Sequence, residues 1–557
     1  MSNKMEWLNG IVRPEILKLA AYSSARSEMG DLSGMIQMDA NENPYIPYPQ
    51  SIEVSKANRY PDPQPIALLA RLAAIYGVKN DQILVARGMD EIIDLIIRVF
   101  CIAYKDKILI TPPTYGMYQV AADTAGVEVV KVALSEEDGF EFPHAKIIAT
   151  AKAEKVKIVF LCTPNNPTGN IISLDKIEAI AKSLPQAIIA VDEAYIEFAD
   201  TESAASLLKD YPNLVTMKTL SKAYGFAGVR IGSLLAHPDI ITVSRKVLAP
   251  YPLPEPCVRL AHQLLSPLGL QLVHSRTEIL KAERERMLEV LRQLPGIEEV
   301  YPSKANFILF KVENGGKIYK DVLAKGIVIR NRAKDVANTL RISIGTPEEN
   351  NLVLAALGAK LDNLAKVERT ATVIRNTNET RITVEVNLDQ TSPIQIHTGV
   401  GFFDHMLEQL AKHGGFSLKL VAEGDTHIDY HHTVEDVAIA LGNALRQALG
   451  DKRGINRYGF VLPMDESCAF ATIDLSGRGV LVYEAEYQTP LIGNFPVEMV
   501  EHFFLSLSDQ LQAAIHLKVS GENAHHMVEG LFKACAKALN QAIKQTGDSL
   551  PSTKGLL

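Results

Sequence analysis

The sequence is poor in the features that mark a secreted or membrane protein. Its five cysteines (Cys101, Cys162, Cys257, Cys468, Cys535) are scattered and form no C-x-x-C. That argues against a disulfide framework or a thiolate zinc cluster and fits a reducing cytoplasm. No apolar run is long enough to span a bilayer. The longest, Ile92 to Tyr104, is interrupted by Asp94 and Arg98,. The opening "MSNKMEWLNG" lacks the apolar core of a signal peptide,. No long run of one charge occurs, and the net charge is −8. Neither nucleic acid nor an anionic membrane is therefore an expected partner. With 557 residues the chain exceeds one hydrophobic core, since single cores stop growing at roughly 250–300 residues,.

What is present divides in two. From about residue 60 to 360, short apolar runs alternate with helical patterns such as Leu174 to Leu184. "KILIT" (107–111), "KIVFLC" (157–162), "AIIAVD" (187–192), "NLVTM" (213–217) and "IGSLLA" (231–236) are continuously apolar. This predicts a parallel sheet covered on both faces, hence an α/β domain. A charged helix over 278–294 leads into a smaller α+β portion ending near Leu364. The stretch 360–377 is the expected boundary, giving domains 1–365 and 366–557. Beyond it the strands alternate, as in "TRITVEVNLD" (380–389). There the chain repeats itself. "NETRITVEVNLD" (378–389) matches "DESCAFATIDLS" (465–476), and "FDHMLEQL" (403–410) matches "VEHFFLSL" (500–507). "HHTVED" from His431 is echoed by "HHMVEG" from His525. Two strand-and-helix halves, about 370–460 and 461–557, are expected to pair, because one alone buries its sheet poorly.

In the first part, "TPNNPTG" (163–169), "VDEAY" (191–195) and "TLSKAYGFAGVR" (219–230) each follow a strand. Ligands of open parallel sheets collect beyond the carboxyl ends of strands. The Lys222 amine can form a Schiff base with an aldehyde. Asp192 can keep a pyridinium nitrogen protonated, Tyr195 can bond a ring hydroxyl, and Arg230 offers a fork for phosphate. A lone Ser-Lys pair would mark a solvated surface lysine; three spaced motifs on successive strands argue against that.

These residues resemble fold-type I pyridoxal-phosphate enzymes and most closely the histidinol-phosphate aminotransferase family, over about residues 8–362. "VRPEILKLAAYSSAR" (12–26), "DANENPY" (39–45), "NRYPDPQP" (58–65), "ARGMDEIIDLIIRVF" (86–100) and "PPTYGMY" (112–118) carry the likeness. The resemblance implies a large and a small domain and pyridoxal 5'-phosphate as cofactor. It implies that Tyr115 stacks on the pyridoxal ring and that Asn166 and Tyr195 bond its 3-hydroxyl. Gly88, Met89, Asp90, Thr219, Ser221 and Arg230 would surround its phosphate, and Tyr60 would reach the phosphate of a neighbouring subunit, implying a dimer. Met89 stands where the family often has a small residue. Arg341 would hold the carboxylate of glutamate; Tyr22, Asn166 and Arg330 would meet the substrate phosphate.

In the second part, His431 and Glu435 are four apart and share a helix face, while His432 points about 100° away. Neighbouring histidines can thus serve different ions. His405, His431, His432, Glu435, His502, His525, His526 and Glu529 together suit two divalent transition ions. Imidazole fits Mn, Fe or Zn, and an octahedral site with open positions suggests Mn²⁺. Residues 369–557 resemble the imidazoleglycerol-phosphate dehydratase family through "RNTNET" (375–380), "TGVGFFDHMLEQLAKHG" (398–414), the two histidine units, "GINRYG" (454–459), "PMDES" (463–467) and "DLSGR" (474–478). Tyr430 departs from the family, where Asp is usual. The resemblance implies that Glu379 and Gln409 contact substrate and that Arg457, Arg478, Lys533 and the tail residues Ser552 to Gly555, including Lys554, bind its phosphate. It also implies a 24-subunit shell with metal sites between subunits.

The two likenesses together predict a bifunctional enzyme of histidine biosynthesis. One half would dehydrate imidazole glycerol phosphate to imidazole acetol phosphate, with Glu379 moving the proton. The other would convert that ketone, with glutamate, to histidinol phosphate. The alternatives are an aminotransferase of other specificity joined to a di-metal hydrolase, or one half as an inactive scaffold.

Overall fold

The computed structural model describes residues 34–45, 59–360, 368–377, 379–450, 452, 454–460, 463–464, 466–547 and 551. The chain forms two compact units, Met1–Ala365 and Lys366–Leu557. Among the described residues no helix is long and apolar enough to cross a membrane.

The first unit is built on seven strands: β1 (Ile83–Ala86), β2 (Lys107–Ile110), β3 (Glu128–Lys131), β4 (Ile158–Cys162), β5 (Ile188–Asp192), β6 (Leu214–Thr219) and β7 (Gly232–Ala236). Their order in the sheet is β1-β7-β6-β5-β4-β2-β3. Every residue of β4, β6 and β7 is buried, as expected of strands with helices on both faces,. One expectation needs correction. "IGSLLA" is not a further parallel strand, because β7 runs antiparallel to both β6 and β1. An uninterrupted apolar run reports burial on two faces, not strand direction.

Helix α1 (Gly88–Phe100) starts one residue after Arg87 and carries Asp90 in its first turn. Helix α2 (Met117–Ala125) follows β2. The long helix α3 (Pro267–Gln293) begins well before the expected 278, where the Ser266 hydroxyl accepts from the Gly269 amide and Pro267 occupies the first turn,. A smaller sheet follows: β8 (Ile297–Val300), β9 (Phe307–Val312), β10 (Arg330–Asn331) and β11 (Thr339–Ser343), in the order β10-β11-β9-β8. Ile36–Gln37 pairs in parallel with Ile327–Val328 as a separate two-stranded ladder, and the residues that follow reach β11, where the Ser343 amide donates to the Met38 carbonyl and the Asn41 amide to the Ser343 hydroxyl.

Among the described residues the second unit holds two main sheets, besides a short antiparallel pair, Leu491–Ile492 with Phe495–Pro496. Strands β12 (Thr370–Asn376), β13 (Thr380–Asn387), β14 (Ile394–His397) and β15 (Ser417–Gly424) lie in the order β12-β13-β15-β14. Strands β16 (Tyr458–Phe460), β17 (Pro463–Met464), β18 (Ser467–Asp474), β19 (Val480–Glu484) and β20 (Ala514–Ser520) form the other sheet. Its order is β16-β18-β20-β19, with β17 on β18. Alternation places Ile382, Val384 and Val386 inward, and likewise Ala469, Ala471 and Ile473,. Helices α4 (Gly401–Gly414), α5 (His431–Leu449), α6 (Glu498–Leu511) and α7 (Ala524–Ile543) cover the inner faces. They pack crosswise, α5 against α6 and α4 against α7.

Candidate active sites

In the first unit the carboxyl ends of β4, β5 and β6 open into a cavity of about 470 Å³. Its walls include Asp90, Tyr115, Asn166, Asp192, Tyr195, Ser221, Lys222, Arg230, Arg330 and Arg341. The sheet thus gathers nearly all the residues expected at the cofactor. Lys222 Nζ donates to the Ala40 carbonyl at 2.9 Å. Burial, reinforced by Arg341, pushes its amine down to about 8, so a substantial neutral fraction exists near physiological pH. Asp192 is buried at the end of β5. Its Oδ2 accepts from the Tyr118 hydroxyl at 2.6 Å and its Oδ1 from the Ala194 amide at 3.0 Å. Burial outweighs those bonds and pushes its carboxyl up to about 6.

The Tyr195 hydroxyl accepts from Asn41 and Asn166 at 3.2 and 3.4 Å. Arg341 donates to Asn166 Oδ1 and to the Asp39 carbonyl, both at 2.6 Å. Its Nε is buried without a hydrogen-bond partner among the described residues. Burial and the neighbouring Arg332 and Arg330 lower Arg341 to about 10. Arg330 and Arg341 sit opposite one another across β10 and β11, so the smaller sheet presents a concentrated positive charge. Like charges placed together at this cost fit an anionic ligand.

Arg230 donates to Asp90 Oδ2 at 3.2 Å, and Asp90 Oδ1 accepts from Tyr115 at 2.8 Å. A Cβ on Gly88, whose φ is +76°, would lie 2.5 Å from Arg230 Nη2. The glycine keeps the α1 N-terminus open beside the guanidinium, a cradle suited to a phosphate. Thr219 and Ser221 are buried and bonded to each other at 3.0 Å, and Met89 also lines the cavity. The donor set, the glycine opening and the orphaned guanidinium nitrogen together fit a pyridoxal phosphate and an acidic substrate. Tyr60 stands apart from this cavity: it is 81% exposed and stacks on Tyr251 at 4.5 Å. Tyr22 lies outside the described residues.

In the second unit the crossed helices build two similar clusters. On the α5–α6 side, Glu435 lies 3.9 Å from His431 Nε2 and 3.6 Å from His502 Nε2. One ligand atom from each of the three falls within 4.8 Å of the others. On the α4–α7 side, Glu529 lies 3.9 Å from His405 Nε2 and 3.5 Å from His525 Nε2. Lys533, expected at the substrate phosphate, pairs with Glu529 at 2.8 Å. His432 and His526 point elsewhere: their Nδ1 atoms meet Asp425 and Glu466, each at 2.9 Å. A carboxylate on Nδ1 fixes the ring and leaves Nε2 as the coordinating atom. The donor set of imidazoles and carboxylates, with two carboxylate–imidazole pairs behind it, fits divalent transition ions.

Around these clusters, Asp436 is buried and receives Arg375 at 2.6 Å, Thr377 at 3.3 Å and the Thr380 hydroxyl. This ties the turn bearing Glu379 to the start of α5. Glu379 itself is exposed, and its charge reaches His432. Gln409 bonds His413 at 3.1 Å. Arg457 engages Asp474 at 2.6 Å and the Pro551 carbonyl at 3.1 Å, and Arg478 is exposed. Tyr430 packs on the core just before His431. Ser552 and Lys554 lie outside the described residues. Sequence reasoning passed over Asn41, Tyr118, Asp425, Asp436 and Glu466. All but Asp425, which lies six residues before His431, sit in a quoted motif, and only the tertiary contact gives each a task.

The pyridoxal-type cavity on this α/β frame is that of an aminotransferase, and sequence comparison agrees. The aminotransferase class I and II family model matches residues 33–357, more than half of the chain. The chain belongs to that family. The imidazoleglycerol-phosphate dehydratase model matches residues 398–539, so the aminotransferase is joined to a domain of a second family. The histidinol-phosphate aminotransferase of Stenotrophomonas maltophilia is 45% identical over 354 residues, 63% of this chain and 96% of its own. The crystal structure of histidinol-phosphate aminotransferase from Clostridium acetobutylicum is 27% identical, with a TM-score of 0.51 over 58% of this chain and 98% of that one. The Sinorhizobium meliloti enzyme, solved with pyridoxal-5'-phosphate, has a TM-score of 0.55 over 62% of this chain and 96% of its own. At 23% identity it speaks to the fold alone.

Proposed function

We propose that the chain performs two consecutive steps of histidine biosynthesis, dehydrating imidazole glycerol phosphate and then transaminating the resulting ketone with glutamate to histidinol phosphate. The observation that carries this reading is the joining of a histidinol-phosphate aminotransferase relative to a dehydratase-family domain in one chain. The product of one reaction is the substrate of the other.

In the first unit Lys222 would bind the cofactor aldehyde and later move the α-proton, its lowered proton affinity making both feasible,. Asp192 would hold the ring nitrogen, Tyr195 with Asn166 the 3-hydroxyl, and Arg230 with the α1 N-terminus the phosphate. Arg341 would hold the carboxylate of glutamate and Arg330 the substrate phosphate. The bound pyridoxal ring would supply the electron sink that amino transfer needs.

In the second unit the two sheets read as a duplicated strand–helix half. His431, Glu435 and His502 would hold one ion, His405, His525 and Glu529 another, with His432 and His526 completing sites between subunits. Two ions, Mn²⁺ by ligand type, would act as Lewis acid and template on the substrate imidazole. Glu379, exposed beside His432, would shuttle the proton. The aminotransferase unit would pair as a dimer and the dehydratase units as a shell of 24. Supplying imidazole glycerol phosphate and glutamate to the purified protein should yield histidinol phosphate and 2-oxoglutarate. Failure to consume imidazole glycerol phosphate in the presence of Mn²⁺ would refute the reading.

A further inference from the structure

Asp192 is expected to meet the cofactor's ring nitrogen, and the structure shows a second proton donor already committed to it. The Tyr118 hydroxyl, fully buried on α2, lies 2.6 Å from Asp192 Oδ2. The Ala194 amide holds the other oxygen at 3.0 Å, so the carboxylate plane is fixed from both sides. The Tyr118 ring is itself clamped. It stacks on Phe160 at 4.8 Å with an 11° interplanar angle and meets the edge of Tyr115 at 5.7 Å. Tyr118 therefore touches both residues expected to grip the cofactor ring, one at its nitrogen and one on its face.

From these contacts we infer that Tyr118 is a positioning residue that limits how strongly Asp192 draws the ring-nitrogen proton. The inference rests on the pyridoxal reading of the cavity. A phenol donating to a carboxylate stabilises its ionised form and lowers its affinity for any further proton. In a dry site such a bond weighs more than in water. The other charged groups around Asp192 act the opposite way. Asp90 on α1 and Glu193 next in sequence both repel its negative charge. Glu193 is partly offset by Lys218 Nζ at 2.8 Å. The buried Cys162 thiol at the end of β4 adds no charge and bonds the Pro164 carbonyl at 3.5 Å. Tyr118 is thus the side-chain donor that counters burial and repulsion at this carboxylate.

The test uses Tyr118→Phe in the full-length holoenzyme, which removes one oxygen and keeps the stacked ring. Without the phenol, Asp192 neutralises the ring's positive charge more completely, and the lysine-bound cofactor becomes more basic. The pH midpoint of its visible absorption band should rise, by on the order of one unit. Fluorotyrosine at the same position, a stronger donor of nearly equal size, should move the midpoint down. A merely structural role would lower the melting temperature and leave the titration in place. Midpoints unchanged in both variants, with cofactor bound, overturn the inference. A wild-type protein that never acquires a visible band with pyridoxal phosphate overturns the cofactor reading on which it rests.

Discussion

His502 Nε2 on α6 lies 3.6 Å from Glu435 Oε1 on α5, and that nitrogen is buried without a hydrogen-bond partner among the described residues. A buried imidazole nitrogen left bare costs free energy, and a metal ion would satisfy it. Replacing His502 by Ala should therefore reduce bound Mn²⁺ and weaken affinity at least ~10-fold. Metal analysis and calorimetric titration of the purified protein would show it. Unchanged stoichiometry and affinity would remove His502 from the ligand set.

Lys222→Ala should abolish amino transfer, by at least ~10³-fold, and leave dehydration within about a factor of two. The cavity residues all belong to the first unit and the histidine clusters to the second. Separate half-reaction assays on one preparation decide it. Equal loss of both activities in a folded variant would mean that the chemistries share a site.

The same lysine makes a stability prediction for the cofactor-free protein. Its folded value, about 8, lies below the ordinary 10.5, so between these values the unfolded chain binds the extra proton. Stability contributed by this group therefore rises with pH across about 8 to 10.5, and its penalty is fully present below 8. Lys222→Met should stabilise the apo-protein at pH 7 by about 2 kcal/mol, and the gain should shrink as pH approaches 10. Chemical denaturation at several pH values measures this; a gain that grows with pH would contradict it.

Gly88→Ala should weaken cofactor binding ~10-fold or more. The new Cβ would meet Arg230 Nη2 at 2.5 Å, on a backbone whose left-handed φ already strains alanine,. Equilibrium titration with pyridoxal phosphate, monitored by absorbance, gives the affinity. An unchanged value would mean that Arg230 has no part in the phosphate cradle.

Asp436→Asn should lower the stability of the second unit by about 2 kcal/mol, because Arg375, Thr377 and Thr380 lose a shared buried carboxylate,. Calorimetry of the full chain should show one transition falling by roughly 4–8 °C. A shift of the aminotransferase transition instead would contradict the prediction.

The α/β frame was legible because fully buried strands write continuous apolar runs, as in β4, β5 and β6. The direction of β7 was not, because burial alone does not encode it. Lys222, Asp192, Tyr195 and Arg230, which the fold brings to one cavity, could be singled out because each stands at or after the end of a strand within a motif. Tyr118 and Asp436 were not. A tyrosine or aspartate in a helix has many ordinary uses, and its partner is named only by the fold. The crossed pairing of His431 with His502 and of His405 with His525 was likewise invisible, since the repeat marks the histidines without saying which helices will face one another.

That crossing bears on synthesis of the chain. A nascent polypeptide that has produced His431 and Glu435 still lacks His502, and His405 must wait for Glu529 in the second half of the unit. Neither three-residue cluster could close on a metal ion until both halves of the second unit have left the ribosome,. Ion capture would thus wait on the second half, and a product terminated between the halves would hold histidines without a site.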